Sequence, residues 1–348
     1  MSAWRNYWFA PSYYLDLAIV RIVAVSTALA MLLYLRQWHL TKGSLSDIYW
    51  DPLVIMNVVH VPFGWGFRPP IEIVEIIYFT AVIAGALSLL GILTNLSLLI
   101  FTAASVYVQA FIYSFGELHH REAVMMIALG ALAISPSGRV LSIDWLIARR
   151  RDAGLLEGKS EFAGWPIKLI GWFFVLMYLS AVRSKLAHGP LEWANGFTLQ
   201  YYLAVDGLRW GNPLGLWLSQ FHLPVMALQF GVLAFQATFA VAMIFPKSRW
   251  FYVPAGLMMH IGIYLALRAP FFQWIALYVV FVPWTAALTW WLARRAPRGA
   301  RTLPPMDAGG QPSQNPSNPA PAFSQSAPMG QHGSKGHSEG DWISDRAP

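Results

Sequence analysis

The feature that most constrains this chain is a succession of apolar windows, most of them about 18 residues or longer and nearly free of charge, the length a helix needs to cross a bilayer. Eight such windows lie at about 15–35, 72–92, 95–115, 121–136, 166–186, 222–245, 250–268 and 270–292, the fourth being the shortest. A soluble core cannot absorb so many. Only 12% of the 348 residues are charged, about half the share found in soluble domains. The pattern predicts an all-α fold, a polytopic membrane helix bundle with about eight transmembrane helices.

Trp4, Tyr7, Trp8 and Phe9 read as an interfacial aromatic segment ahead of a retained first span rather than as a cleavable signal. The net charge of +7 comes from basic residues between spans: Arg149, Arg150, Arg151 and Lys159, then Lys247 and Arg249, then Arg294, Arg295, Arg298 and Arg301. These gaps fall on one side. That bias predicts a cell inner membrane protein with both termini cytoplasmic, and it accounts for the charge without a nucleic-acid partner. The opposite face receives segments 36–70 and 187–221, too long for hairpins and carrying Trp50, Trp65, Trp193, Trp210 and Trp217 as interfacial anchors. They are expected as long capping loops on the non-cytoplasmic face. Residues 1–296 form the transmembrane domain, and 297–348, rich in Pro, Ser and Gly, form a disordered cytoplasmic tail that contains His332 and His337. With no cysteine in the chain, disulfides, thiolate ligands and a thiol nucleophile are excluded.

Few residues in these spans can do chemistry. Arg183, Ser184 and Lys185 stand where the fifth window meets the interface. A basic residue costs about 2.5–3.5 kcal/mol at the centre of a spanning helix and less toward its ends, so Lys185 and Arg183 are either snorkelling anchors or functional. His119, His120, Arg121 and Glu122 head the fourth window, with Glu117 just before them. They form either a polar helix start or an acid–base site, since imidazole changes charge near neutral pH. The spacing of Glu117, His119 and Glu122 matches no metal-ligand pattern, so no metal is predicted. His260 lies mid-span with Tyr264 one turn on, as a hydrogen-bonding partner between helices or a site wall. Asp16 and Arg21 are expected to enter the bundle as an ion pair, and Ser142 with Asp144 to cap a helix before Trp145.

Four segments then fall in a recognisable order: Leu17-Ala-Ile-Val-Arg21; His119-His120 with Pro136-Ser-Gly-Arg-Val-Leu-Ser-Ile-Asp144; Tyr178-x-x-Ala181, Lys185-Leu186 and Trp193-x-x-Gly196; and His260 with Phe272 and Pro283-Trp284. Over about residues 10–292 the chain resembles the horizontally transferred transmembrane (HTTM) domain family, whose best-known members are the vitamin-K-dependent γ-glutamyl carboxylases. The resemblance implies a quinol-linked, carboxylase-like lyase with reduced quinone as cofactor and oxygen and carbon dioxide as co-substrates. In that chemistry Lys185 would deprotonate the quinol. His120, or else His119, would assist where the substrate carbanion meets carbon dioxide, and Arg183, Trp193, Glu117, His260 and Tyr264 would line the pocket.

The chain differs from the carboxylases at Ser184, at Asn195 and in the inserted His188-Gly-Pro, and the tail is expected to stand where they carry a propeptide-binding lumenal domain. The implied substrate is therefore a small molecule or a lipid. Beside this enzyme stand two other readings: a non-catalytic membrane component, such as a small-solute permease or an assembly subunit, and a DoxX-type quinone-binding membrane protein.

Overall fold

The structure, a computed structural model, describes residues 2–116, 122–149, 158–187, 189 and 193–295. The chain divides into residues Met1–Leu292 and Ala293–Pro348, and of the second unit only 293–295 are described. The principal helices are α1 (Tyr14–Tyr34), α2 (Ile71–Leu90), α3 (Thr94–Tyr113), α4 (Ala123–Ala133), α5 (Glu161–Ala187), α6 (Phe197–Arg209), α7 (His222–Thr238), α8 (Arg249–Leu267), α9 (Phe272–Leu277) and α10 (Trp284–Arg295).

Helix α1 shows why these stretches pack as they do. Its buried residues, Leu17, Ala18, Val20, Arg21, Ala24, Val25, Ala28 and Leu32, recur at helical spacing and form one face toward the bundle. The outward faces of the other helices are equally apolar. Ile76, Phe79 and Ile83 on α2, Leu96 and Leu99 on α3, and Phe251, Met258 and Ile261 on α8 are all exposed. Such a belt is stable against lipid, where backbone polar groups must be satisfied inside the helix. The protein is a membrane-embedded, multi-pass helix bundle.

The span count differs from the eight windows. Among the described residues five helices are long and apolar enough to cross, at Tyr14–Tyr34, Ile71–Leu90, Thr94–Tyr113, Glu161–Ala187 and Pro246–Leu267. The pair Phe272–Phe281 and Trp284–Arg295, bent by 68°, is either a broken sixth span or a re-entrant loop. The bend falls at Pro283, which lacks an N–H and holds Val282 extended at φ −97°, ψ 125°. Window 121–136 yields only the 11-residue α4, and window 222–245 the 17-residue α7, which gives way to a turn at Phe239 before Val241–Ile244. Apolar composition alone did not reveal those interruptions.

One end of the bundle is tied by polar contacts. Ser12–Tyr13 pairs antiparallel with Lys159–Ser160, so α1 and α5 start side by side. The expected pair of Asp16 and Arg21 is not formed; each takes other partners. Asp16 accepts from the Thr285 N–H (2.7 Å) and hydroxyl (2.8 Å) at the start of α10. Arg21, fully buried, donates to the carbonyls of Ser137 (3.2 Å) and Leu141. Five residues apart on a helix, the two side chains point about 140° from one another, and each met a nearer partner on a different element. Ser142 caps Ile143–Arg149 as expected, accepting from the Trp145 N–H at 2.9 Å. Asp144 instead caps α3, receiving the N–H groups of Leu93 (2.9 Å) and Thr94 (2.7 Å) and the Thr94 hydroxyl (2.7 Å).

The described residues of segments 36–70 and 187–221 gather at the other end, where they include several short helices. Ser114, after α3, is bonded by the N–H groups of Asp51 and Leu53. Arg68 lies over the Phe115 ring at 5.2 Å, and Asn212 donates to the carbonyls of Leu265 and Ala266 at the end of α8.

Candidate functional site

Helix α5 carries the first constellation. Tyr178 and Lys185 are seven residues apart, so they share a face about 10 Å apart along the axis. Near the end of that face the half-buried Lys185 donates from Nζ to Gln236 Oε1 on α7 at 2.7 Å, and Nζ lies 4.8 Å from the centroid of the Trp193 ring. Among the described residues Lys185 forms no ion pair. Its hydrogen-bond partner is a neutral amide. Arg183, two residues earlier, is exposed and does not share this environment.

Deeper along the same face lies the second constellation. The Tyr178 hydroxyl is 2.8 Å from His260 Nε2 and 2.8 Å from the Tyr278 hydroxyl, and all three residues are buried. The three polar tips form a line of exchangeable protons enclosed by Phe174, Phe239 and Trp274. His260 Nδ1 has no partner among the described residues. If Nε2 accepts from Tyr178, the neutral ring carries its proton on Nδ1, and that donor is left unsatisfied.

The third feature is a cavity of about 410 Å³ at the end of α8, lined by Tyr34, Trp210, Tyr264, Arg268, Phe272 and Gln273 among others. A smaller cavity of about 40 Å³ adjoins it at Gln273 and is lined by Ser105, Gln109 and Glu122. Glu122 is buried and accepts a hydrogen bond from the Tyr113 hydroxyl.

The structure brings Lys185 to Trp193, His260 to Tyr178, and Tyr264 to the cavity; Lys185 is not among the cavity's lining residues. Glu117, His119 and His120 lie outside the described residues. Among the described residues no group of three His, Asp or Glu is placed to hold a metal. Sequence reasoning missed Gln236, Tyr278, Arg268 and Gln273. The two glutamines carried a readable signal, each being an amide inside an apolar window, where a polar side chain marks a contact between helices. Tyr278 and Arg268 gave none. In comparisons with protein-family models, with curated proteins and with solved structures, the chain matches none.

Proposed function

We propose that this chain is an integral membrane enzyme similar to the vitamin-K-dependent carboxylases, using a reduced quinone as cofactor and Lys185 as base on a small or lipid substrate. The observation that carries the reading is the environment of Lys185: a half-buried amine held by the amide of Gln236 and the face of Trp193. No contacting carboxylate fixes its charge among the described residues, as suits a group that must give up and regain a proton. The donor set also fits a flat ring bearing oxygens, since Trp193 offers a stacking face and Lys185 and Gln236 offer N–H groups. Bound there, the reduced quinone would supply the redox chemistry.

In this reading Gln236 orients the amine, Lys185 Nζ accepts the proton, and the hydrogen-bonded line of Tyr178, His260 and Tyr278 fixes the helix face beneath it. One of His119 and His120 would serve the carbon dioxide step. Counting α4 and α7 as short crossings restores the eight-span topology, with both termini in the cytoplasm of a cell inner membrane. The test is incorporation of labelled bicarbonate into extractable products by membranes carrying the protein and supplied with reduced quinone and oxygen. Incorporation above empty membranes that disappears in Lys185→Met supports the proposal. Equal incorporation in both sinks it. A second reading, a non-catalytic component, draws on the exposed Arg183, whose position beside Lys185 at a helix end suits an interfacial anchor.

A further inference from the structure

The cavity at the end of α8 has the features of a ligand site separate from Lys185. Its mouth is cationic and aromatic. Arg268 lines it and is exposed, with its guanidinium 5.9 Å from the Tyr264 ring centroid; Arg209 lies 5.0 Å over the ring of Trp210, which also lines it. Among the described residues no Asp or Glu lines this cavity. Arg268 is held in the left-handed region at φ 54°, its N–H bonded to the Tyr264 carbonyl at 2.9 Å. A residue other than glycine pays a steric cost in that conformation, so the helix end holds the Arg268 backbone in a fixed place beside the mouth.

The floor carries an independent signal. Gln273 is only 4% exposed, yet its Oε1 has no hydrogen-bond partner among the described residues, and the side chain borders both the large cavity and the small one behind it. A buried amide acceptor without a partner costs about 1–3 kcal/mol; the oxygen itself is buried, so a ligand hydroxyl recovers that cost by turning the Gln273 side chain toward the cavity. The volume of about 410 Å³ is far more than one water needs. The exposed Tyr34 and Trp210 give the mouth the aromatic character of a membrane interface.

We infer that this cavity binds a phosphate that carries a neighbouring hydroxyl, the chemistry of a glycerol phosphate head. The phosphate meets Arg268 at the mouth, Arg209 adds positive charge from beside Trp210, and the hydroxyl donates to Gln273 at the floor. Such a head could belong to an anionic lipid or to a soluble glycerol phosphate. A choline head suits the site poorly, since it brings a cation toward two guanidinium groups and has no O–H to donate.

The experiment uses the full chain in neutral detergent, titrated separately with short-chain phosphatidylglycerol, the matching phosphatidylcholine and glycerol 3-phosphate, with bound adducts counted by native mass spectrometry. Phosphatidylglycerol is expected to bind about tenfold or more tighter than phosphatidylcholine, as charge-assisted hydrogen bonds allow. Arg268→Gln, at an exposed position, and Gln273→Leu should each abolish that preference. Saturable glycerol 3-phosphate binding lost in the same variants would support the site and identify the soluble source; phosphatidylglycerol binding without it would identify the lipid. Equal affinity for the two lipids without glycerol 3-phosphate binding, a preference unchanged in both variants, or no adduct with any of the three would overturn the inference.

Discussion

Gly256 leaves no room for a side chain: a Cβ there would lie 1.8 Å from the Tyr278 hydroxyl oxygen and 2.4 Å from the adjacent ring carbon. Gly256→Ala must therefore push Tyr278 away from Tyr178, at a cost of roughly 1–3 kcal/mol for overpacking. The expected outcome is a lower unfolding temperature in detergent that Tyr278→Phe does not restore, because the ring carbon at 2.4 Å still collides once the oxygen is gone. Asp144 makes a second residue-scale prediction. Burial pulls its carboxyl up, but the Thr94 and Leu93 hydrogen bonds and the Arg21 charge outweigh this and hold it below the ordinary carboxylate range. The folded form thus loses its proton more readily than the unfolded one, so the stabilisation is complete above the unfolded value of 3.8 and fades as pH falls through the folded value. Asp144→Ala should cost about 1 kcal/mol at pH 7, the scale of a lost cap. Its deficit against wild type should shrink below about pH 4; a deficit unchanged with pH would contradict the assignment. In the sequence Ser142 and Asp144 read correctly as capping residues, but Asp144 serves a helix that starts 50 residues earlier. Local spacing carries no information about such a partner.

At the scale of elements, the apolar windows made the long helices legible, because 20 apolar residues have few ways to satisfy their backbone except as a helix in lipid. Where a helix breaks was less legible. Phe239 has no special backbone chemistry, so nothing local marks the turn after α7. Pro283 was visible in the sequence, but the 68° bend it accompanies was not. The first turn of α10 depends on Asp16, whose carboxylate receives the Thr285 N–H from across the bundle. Asp16→Ala should therefore leave α1 intact and fray the start of α10, by about 1 kcal/mol for a lost cap. Hydrogen exchange of amides 285–288 is the measurement, with faster exchange confined to that turn as the expected result.

On the scale of the whole molecule, the apolar outer belt makes this a membrane protein, and the charge bias of its connections predicts an orientation that can be tested. The chain has no cysteine, so single cysteines can report sidedness without background. Gln220→Cys, exposed between α6 and α7, should react with an impermeant maleimide added to intact cells, whereas Lys247→Cys, exposed before α8, should be protected until the membrane is opened. The reverse pattern would invert the topology. The candidate site was legible in parts only. Lys185, His260 and Tyr264 stood out as polar residues in apolar windows, yet the fold distributes them among a helix-end amine, a buried proton line and a cavity mouth. Sequence spacing could show that each was unusual but not that they would have separate neighbours.

The central claim, that Lys185 belongs to a quinone-dependent site, is tested most directly by solvent extraction of the wild-type protein and of Lys185→Ala after purification in mild detergent. Bound quinone is measured by mass spectrometry against an equal amount of an unrelated membrane protein. The account predicts quinone enriched well above that reference in the wild type and reduced to the reference level in the variant. Reference-level quinone in both would contradict it.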